Sequence, residues 1–195
     1  MQIAINTLRV VHIVTAVLMS WPFHALVVVN ERGRLGPPVG DRADQYMENI
    51  IKSQTIRCFH FQATVLISGG ALLILRGMGL GAIFTNWVVG AKFFVLFAIM
   101  TLLSYVHFSL QPRIDEILAK AEDGMVPAER ATEFGALRGR RKQLASLCLT
   151  GVLVDVMLGL QVFGRFDPSL TVVLLALIAL FVWRAYRGPL RFGWV

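Results

Sequence analysis

Five stretches of this chain are too long and too apolar for a fold surrounded by water. They run over about 10–29, 58–75, 87–110, 144–164 and 168–186. A bilayer's hydrocarbon core is about 30 Å thick, and a helix needs roughly 20 apolar residues to cross it. No water bonds the backbone there, so each run must close its hydrogen bonds within itself, as an α-helix. The sequence therefore predicts an all-α polytopic membrane bundle of five transmembrane helices, one integral membrane domain over residues 1–195. Composition agrees: only 16% of the residues are charged, against about 25% in soluble domains. The first run does not read as a signal peptide. It is long, contains Pro22 and His24, and ends in "VVVNERG" without a small-residue cleavage site.

The placement of charge sets the orientation. Of the 19 lysines and arginines, fifteen fall in the segments after spans one, three and five, including Arg138, Arg140, Arg141 and Lys142. Only Arg9, Arg76, Arg165 and Lys92 belong to the other side. The positive-inside rule then puts the N-terminus outside and the C-terminus in the cytoplasm. The net charge of +7 is thus topological, and nucleic acid is not an expected partner. Trp87, Trp183, Tyr186 and Trp194 suit interfacial belts.

The basic loops carry helical patterning. Tyr46, Met47, Ile50 and Ile51 recur at helical spacing, with Asp44 as a candidate cap, so span two reads as the membrane half of a longer helix. "IDEILAKAED" extends span three, and "PAERATEFGALRGRRK" leads into span four, although Gly135 and Gly139 weaken that helix. Breaks are expected at Gly36-Pro37-Pro38, Gly77 to Gly81, Gly124 to Pro127 and Asp167-Pro168. Cys58 and Cys148 form no CxxC, and read as free thiols inside the bilayer.

Polar side chains at membrane depth are costly and are functional candidates by default. His60 lies three residues from Arg57, about 5 Å inside the basic boundary at 1.5 Å per residue. By the same measure His107, six from Arg113, is about 9 Å in, and His24, seven from Glu31, about 10 Å in. Three imidazoles on three helices then share one layer. Such a layer suits axial ligation of haem b, with His60 and His107 as first pair, His24 as substitute and Arg57 placed for a propionate. It also suits copper, with Met19, Met47 and Cys58 as further ligands. Ordinary interfacial histidines bonded to their neighbours are the third reading. A second group lies toward the outside: His12, Lys92 about six residues into span three, and Asp155 near mid-membrane. An isolated aspartate in lipid neutralises or finds a cation, and Lys92 is the expected partner. That pair serves either as a structural register pin or in a proton path or quinone site, and Gln62 and Gln161 are placed to join it. Ser68, Gly69, Gly70, Gly151 and Gly159 read as small residues for close helix contact.

With these residues in hand, "LRVVHIVTAVLMSW" (Leu8 to Trp21) resembles the first helix of the copper-resistance D (CopD) family and of its relatives, the HemJ-type protoporphyrinogen oxidases. "WVVGAKFFVLFAIMTLLSYVHFSLQPRIDEI" is similar to the third helix, and "RGRRKQLASLCLTGVLVDVMLG" to the arginine-led fourth. "WPFHALVV" stands where the family's glycine-rich stretch would be. The resemblance implies a four-helix core plus one helix and a haem b in the bundle. It also implies a first-helix histidine and a third-helix lysine needed for activity, here His12 and Lys92. The functional expectation is a b-type haem protein for electron transfer, or the membrane subunit of a redox complex, near the quinone pool in the cell's inner (plasma) membrane. Copper transport, protoporphyrinogen oxidation and a purely structural subunit are the alternatives.

Overall fold

The computed structural model describes residues 2–29, 40–121, 125–162 and 164–187. Among these every regular element is helical, and five helices are long and apolar enough to cross a membrane. The protein is a multi-pass membrane protein. Arg32, Arg34, Glu31, the Gly36-Pro37-Pro38 break, Gly124, Arg191 and Trp194 lie outside the described residues.

Span one begins earlier than its apolar run suggests and is broken. Helix α1 covers Gln2–Leu18 and α2 covers Ser20–Val29, with a turn at Met19. Pro22 carries no N–H for the carbonyl four residues back, so a continuous ladder cannot pass Leu18. Helix α3, Arg42–Leu75, is the long helix expected around span two. Its cap is Asp41 rather than Asp44: Asp41 Oδ1 accepts the Asp44 N–H at 2.7 Å. The Asp44 carboxylate instead accepts the Gly40 N–H and faces the protein interior. Gly77 and Gly79, at φ +74° and +67°, turn the chain after α3 in the left-handed region that glycine adopts freely.

A short helix α4, Ala82–Thr85, precedes α5, Trp87–Tyr105, whose first amides are capped by Asn86. The expected extension of span three exists as α6, Gln111–Ala119, but a π-helical turn, Val106–Leu110, joins it to α5. Pro112 explains the turn. It lacks a donor and its ring crowds the preceding carbonyls, so the ladder re-registers with an extra residue. Helix α7, Ala128–Leu160, runs unbroken through Gly135 and Gly139 and stops short of the expected Gly164. The glycine penalty of about 1 kcal/mol each is outweighed by the packing of Phe134, Arg138 and Arg141. Helix α8, Pro168–Arg187, matches its predicted span.

Helix α7 is the axis of the bundle. It packs along α5, α2 and α8, while α1 runs along α3. Of its most apolar stretch 44% is buried, against 6% for α8, which therefore lies at the periphery. Ala16, Met19, Cys58, Leu96, Cys148 and Val152 belong to the central core. The outward faces stay apolar, with Phe94, Ile67 and Val172 all exposed, as contact with lipid requires. Both cysteines are buried and free.

Candidate functional site

The middle and C-terminal half of α1, the N-terminal half of α5 and the C-terminal ends of α3 and α7 line a cavity of about 500 Å³. Its wall is mostly aliphatic and aromatic. Its polar lining consists of Arg9, His12, Arg76, Lys92 and Asp155, so three fixed cations meet one carboxylate. A lining of this kind suits a lipophilic molecule with an anionic head.

His12 is placed by α3. Its Nδ1 lies 2.9 Å from Ser68 Oγ. The Ser68 hydroxyl has one proton, and the Thr64 carbonyl lies 2.5 Å from its oxygen. With the Ser68 proton on the Thr64 carbonyl, Nδ1–H donates to Ser68 Oγ and the lone pair of the neutral ring lies on Nε2; with the Ser68 proton turned to the ring, the roles of the two nitrogens exchange. A histidine held through one nitrogen with the other presented as base or ligand is the arrangement found around metals and at proton-transfer sites. Room for the ring comes from Gly69: a Cβ there would stand 3.0 Å from His12 Cε1.

Lys92 and Asp155 form the expected pair. Lys92 Nζ lies 3.4 Å from Asp155 Oδ2 and donates to the Asp155 carbonyl at 3.1 Å. The Asp155 side chain is 2% exposed, and its other oxygen, Oδ1, is buried with no hydrogen-bond partner among the described residues. Gly159 clears the space for the ammonium, since a Cβ there would meet Lys92 Nζ at 2.9 Å. Gly69 and Gly159 thus make room for the His12 ring and the Lys92 ammonium. Gly151 and Gly70 face apolar neighbours, Ile99 and Leu80.

The histidines near the basic side take three separate sets of partners. His60 is exposed and its Nδ1 sits 2.9 Å from the Ile56 carbonyl of its own helix. His24 stacks on Phe181 of α8 at 5.9 Å between ring centroids. His107, carried by the π turn, meets Phe59 and Phe108 edge-on, and its Nδ1 is buried without a partner among the described residues. Arg57 is exposed. Among the described residues no group of three or more His, Cys, Asp or Glu side chains is placed to hold a metal ion. Helical depth put the three rings at one level, but depth says nothing about which way each helix face turns. Gln62 and Gln161 do not line the cavity, and Gln62 is wholly buried.

One cluster escaped the sequence reading. On the basic side Arg138 donates to Asp44 at 2.7 Å and to Glu48 at 2.8 Å. Arg141 bonds Glu48 and, at 2.9 Å, Gln111 Oε1. The four charged side chains are nearly or wholly buried. The signal was present as acids at i and i+4 on α3 and arginines at i and i+3 on α7, each pair on one helix face. Compared with protein-family models, with curated proteins and with solved structures, the chain matches none.

Proposed function

We propose that this protein binds an amphiphilic redox molecule in the cavity around His12, and that the molecule is haem b. The supporting observation is the meeting of His12, Lys92 and Asp155 in one large apolar cavity with Arg9 and Arg76 in its wall. The residues fit the group. His12 would offer the iron an imidazole nitrogen, with its ring held in place by the Nδ1–Ser68 contact. The cations offer charge to propionates. When bound, haem supplies one-electron redox chemistry. The protein's own part is to hold the His12 ring in place, exclude water with the aliphatic wall and hold a proton-bearing pair, Lys92 and Asp155, beside the ligand. On this reading His12, rather than His60 with His107, carries the cofactor. The chain works in the inner membrane, near the quinone pool, alone or as a subunit of a redox complex.

A quinone is the second reading, favoured by Asp155 Oδ1, a buried acceptor or proton donor left unpartnered beside the cavity. A reduced-minus-oxidised visible spectrum of the purified protein separates the two. Haem gives Soret and α bands that vanish in His12→Ala and persist in His60→Ala and His107→Ala. Bands indifferent to His12→Ala refute the ligand assignment. A fully loaded sample with no bands, but with extractable quinone, favours the second reading.

A further inference from the structure

The cavity around His12 has a buried back and an exposed front. Ala16, Val65 and Leu96 line it and belong to the central core of the bundle. Ile13, Leu66, Phe93 and Leu160 line it too, yet each is exposed on the outer surface. Two of these lie well inside the hydrocarbon. Leu66 is ten residues from Arg76, about 15 Å along α3, and Phe93 is six from Trp87, about 9 Å along α5. Half of a hydrocarbon core is about 15 Å thick. This part of the wall therefore faces acyl chains, in the leaflet away from the buried arginine cluster.

Helix packing accounts for the opening. Helix α1 runs along α3 and α5 along α7, while α3 touches α5 only lightly. On the basic side Phe59 of α3 stands edge-on to His107, just past the end of α5, at 5.7 Å between ring centroids. Toward the other end both helices line the cavity, Leu66 on one and Phe93 on the other. The interior is not purely apolar. Arg9 and Arg76 lie in its wall, and Asp155 Oδ1 is buried there without a partner among the described residues, a polar position for a ligand to satisfy. A molecule already dissolved among acyl chains gains little from the hydrophobic effect on entry. Preference then falls to the charged lining, where three cations meet one carboxylate, and an anionic head is what that lining selects.

We infer that the ligand enters this cavity sideways from the bilayer, through the gap between α3 and α5 beside Leu66 and Phe93. It is an amphiphile with an anionic head, drawn to the cationic lining while its apolar body slides in from the acyl chains. This route presupposes that the cavity is the ligand site, as proposed above, and it holds for haem and for other lipid-dissolved anions alike.

The test uses the full chain in phosphatidylcholine vesicles with a long-chain fatty acid carrying a mid-chain diazirine, in alkaline buffer that ionises the acid. Light turns the diazirine into a carbene, which inserts into the nearest side chain, and mass spectrometry locates the adducts. Val65 and Leu96, buried at the back of the cavity, are expected to be labelled along with the outward Ile67 and Phe94. The matching fatty alcohol should label Ile67 and Phe94 equally, and Val65 and Leu96 several-fold less. Leu66→Trp and Phe93→Trp each add bulk at the mouth and should lower the Val65 and Leu96 adducts several-fold. Phe94→Trp, outside the cavity, should not. Both mouth positions are exposed, and either variant carries the test if the other does not fold. Labelling is repeated in His12→Ala, which loses haem on the reading above, so that a resident ligand cannot mask an open mouth. Val65 and Leu96 unlabelled in both proteins, labelled alike by acid and alcohol, or indifferent to the mouth variants overturns lateral entry. The visible spectrum reports on the ligand separately: Soret bands without cavity adducts keep haem and remove the route, and adducts with neither haem nor quinone do the reverse.

Discussion

Glu48→Ala removes the carboxylate that binds both buried arginines of the basic-side cluster. Arg138 keeps Asp44 at 2.7 Å, and Arg141, whose side chain is 0% exposed, loses the Glu48 carboxylate while keeping Gln111 Oε1 at 2.9 Å. At the 2.8 Å separation of Arg138 and Glu48 and an effective dielectric near 20, the Coulomb attraction of one pair is about 6 kcal/mol. Desolvation of the two ions offsets much of it. What remains decisive is the loss of a carboxylate from a buried guanidinium, and removing one partner of a buried pair costs about 3–5 kcal/mol. Glu48→Ala is therefore expected to lower unfolding free energy by about that amount, measured by equilibrium unfolding in mixed detergent micelles. Glu48→Ala combined with Arg141→Met removes both charges and should recover part of the loss. A single-variant loss below about 1 kcal/mol, the range of exposed pairs, refutes the reasoning, as does a double variant that is worse than the two singles added.

Gly159→Ala places a methyl 2.9 Å from Lys92 Nζ. The flexible lysine can shift, but moving off Asp155 weakens the ion pair of a carboxylate that is 2% exposed, so unfolding free energy is expected to fall, by up to about 3–5 kcal/mol if the pair is broken outright; equilibrium unfolding in mixed micelles measures it, and unchanged stability refutes the reasoning. Gly90→Ala meets backbone instead, because its Cβ would stand 2.6 Å from the Ile83 carbonyl oxygen. Backbone cannot step aside as a side chain can, so a loss of about 1–3 kcal/mol is expected from overpacking, read as a lowered Tm. Asp167 starts α8 by accepting from the Ser169 N–H and hydroxyl, and these bonds hold its carboxyl below the usual carboxylate range. A lowered folded pKa gives stability that is present above the unfolded value and lost as pH falls through the folded one. The protection factor of the Ser169 amide, its exchange relative to the intrinsic rate at each pH, should accordingly fall in acid, and Asp167→Asn should remove that dependence.

The existence of five spans was legible because the hydropathy of a 20-residue run leaves a helix no rival in lipid. Helix ends were less legible. Pro22 and Pro112 were visible in the sequence, yet whether a proline breaks a helix, as at Met19, or widens it into a π turn, as at Val106–Leu110, depends on what packs around the freed carbonyls. The Lys92–Asp155 pair was readable from depth, since a lone carboxylate in lipid has few partners to choose from. The layer of His24, His60 and His107 was readable as a depth and unreadable as a site. His60 turns outward and His24 turns to α8, and rotation about a helix axis is set by neighbours rather than by spacing from a charge.

The sequence by itself determined that the chain crosses a bilayer, how often, and which ends of the spans carry positive charge, because each of these follows from local transfer free energies that add along the chain. Only the tertiary structure decided which polar groups meet. It seated His12 on Ser68 beside Lys92 and Asp155, and gathered Asp44, Glu48, Arg138 and Arg141 into a buried cluster. It also left the Gln62 amide buried without a hydrogen-bond partner among the described residues. Those meetings depend on the relative rotation and register of packed helices, which are fixed by contacts between residues some 56 to 94 positions apart.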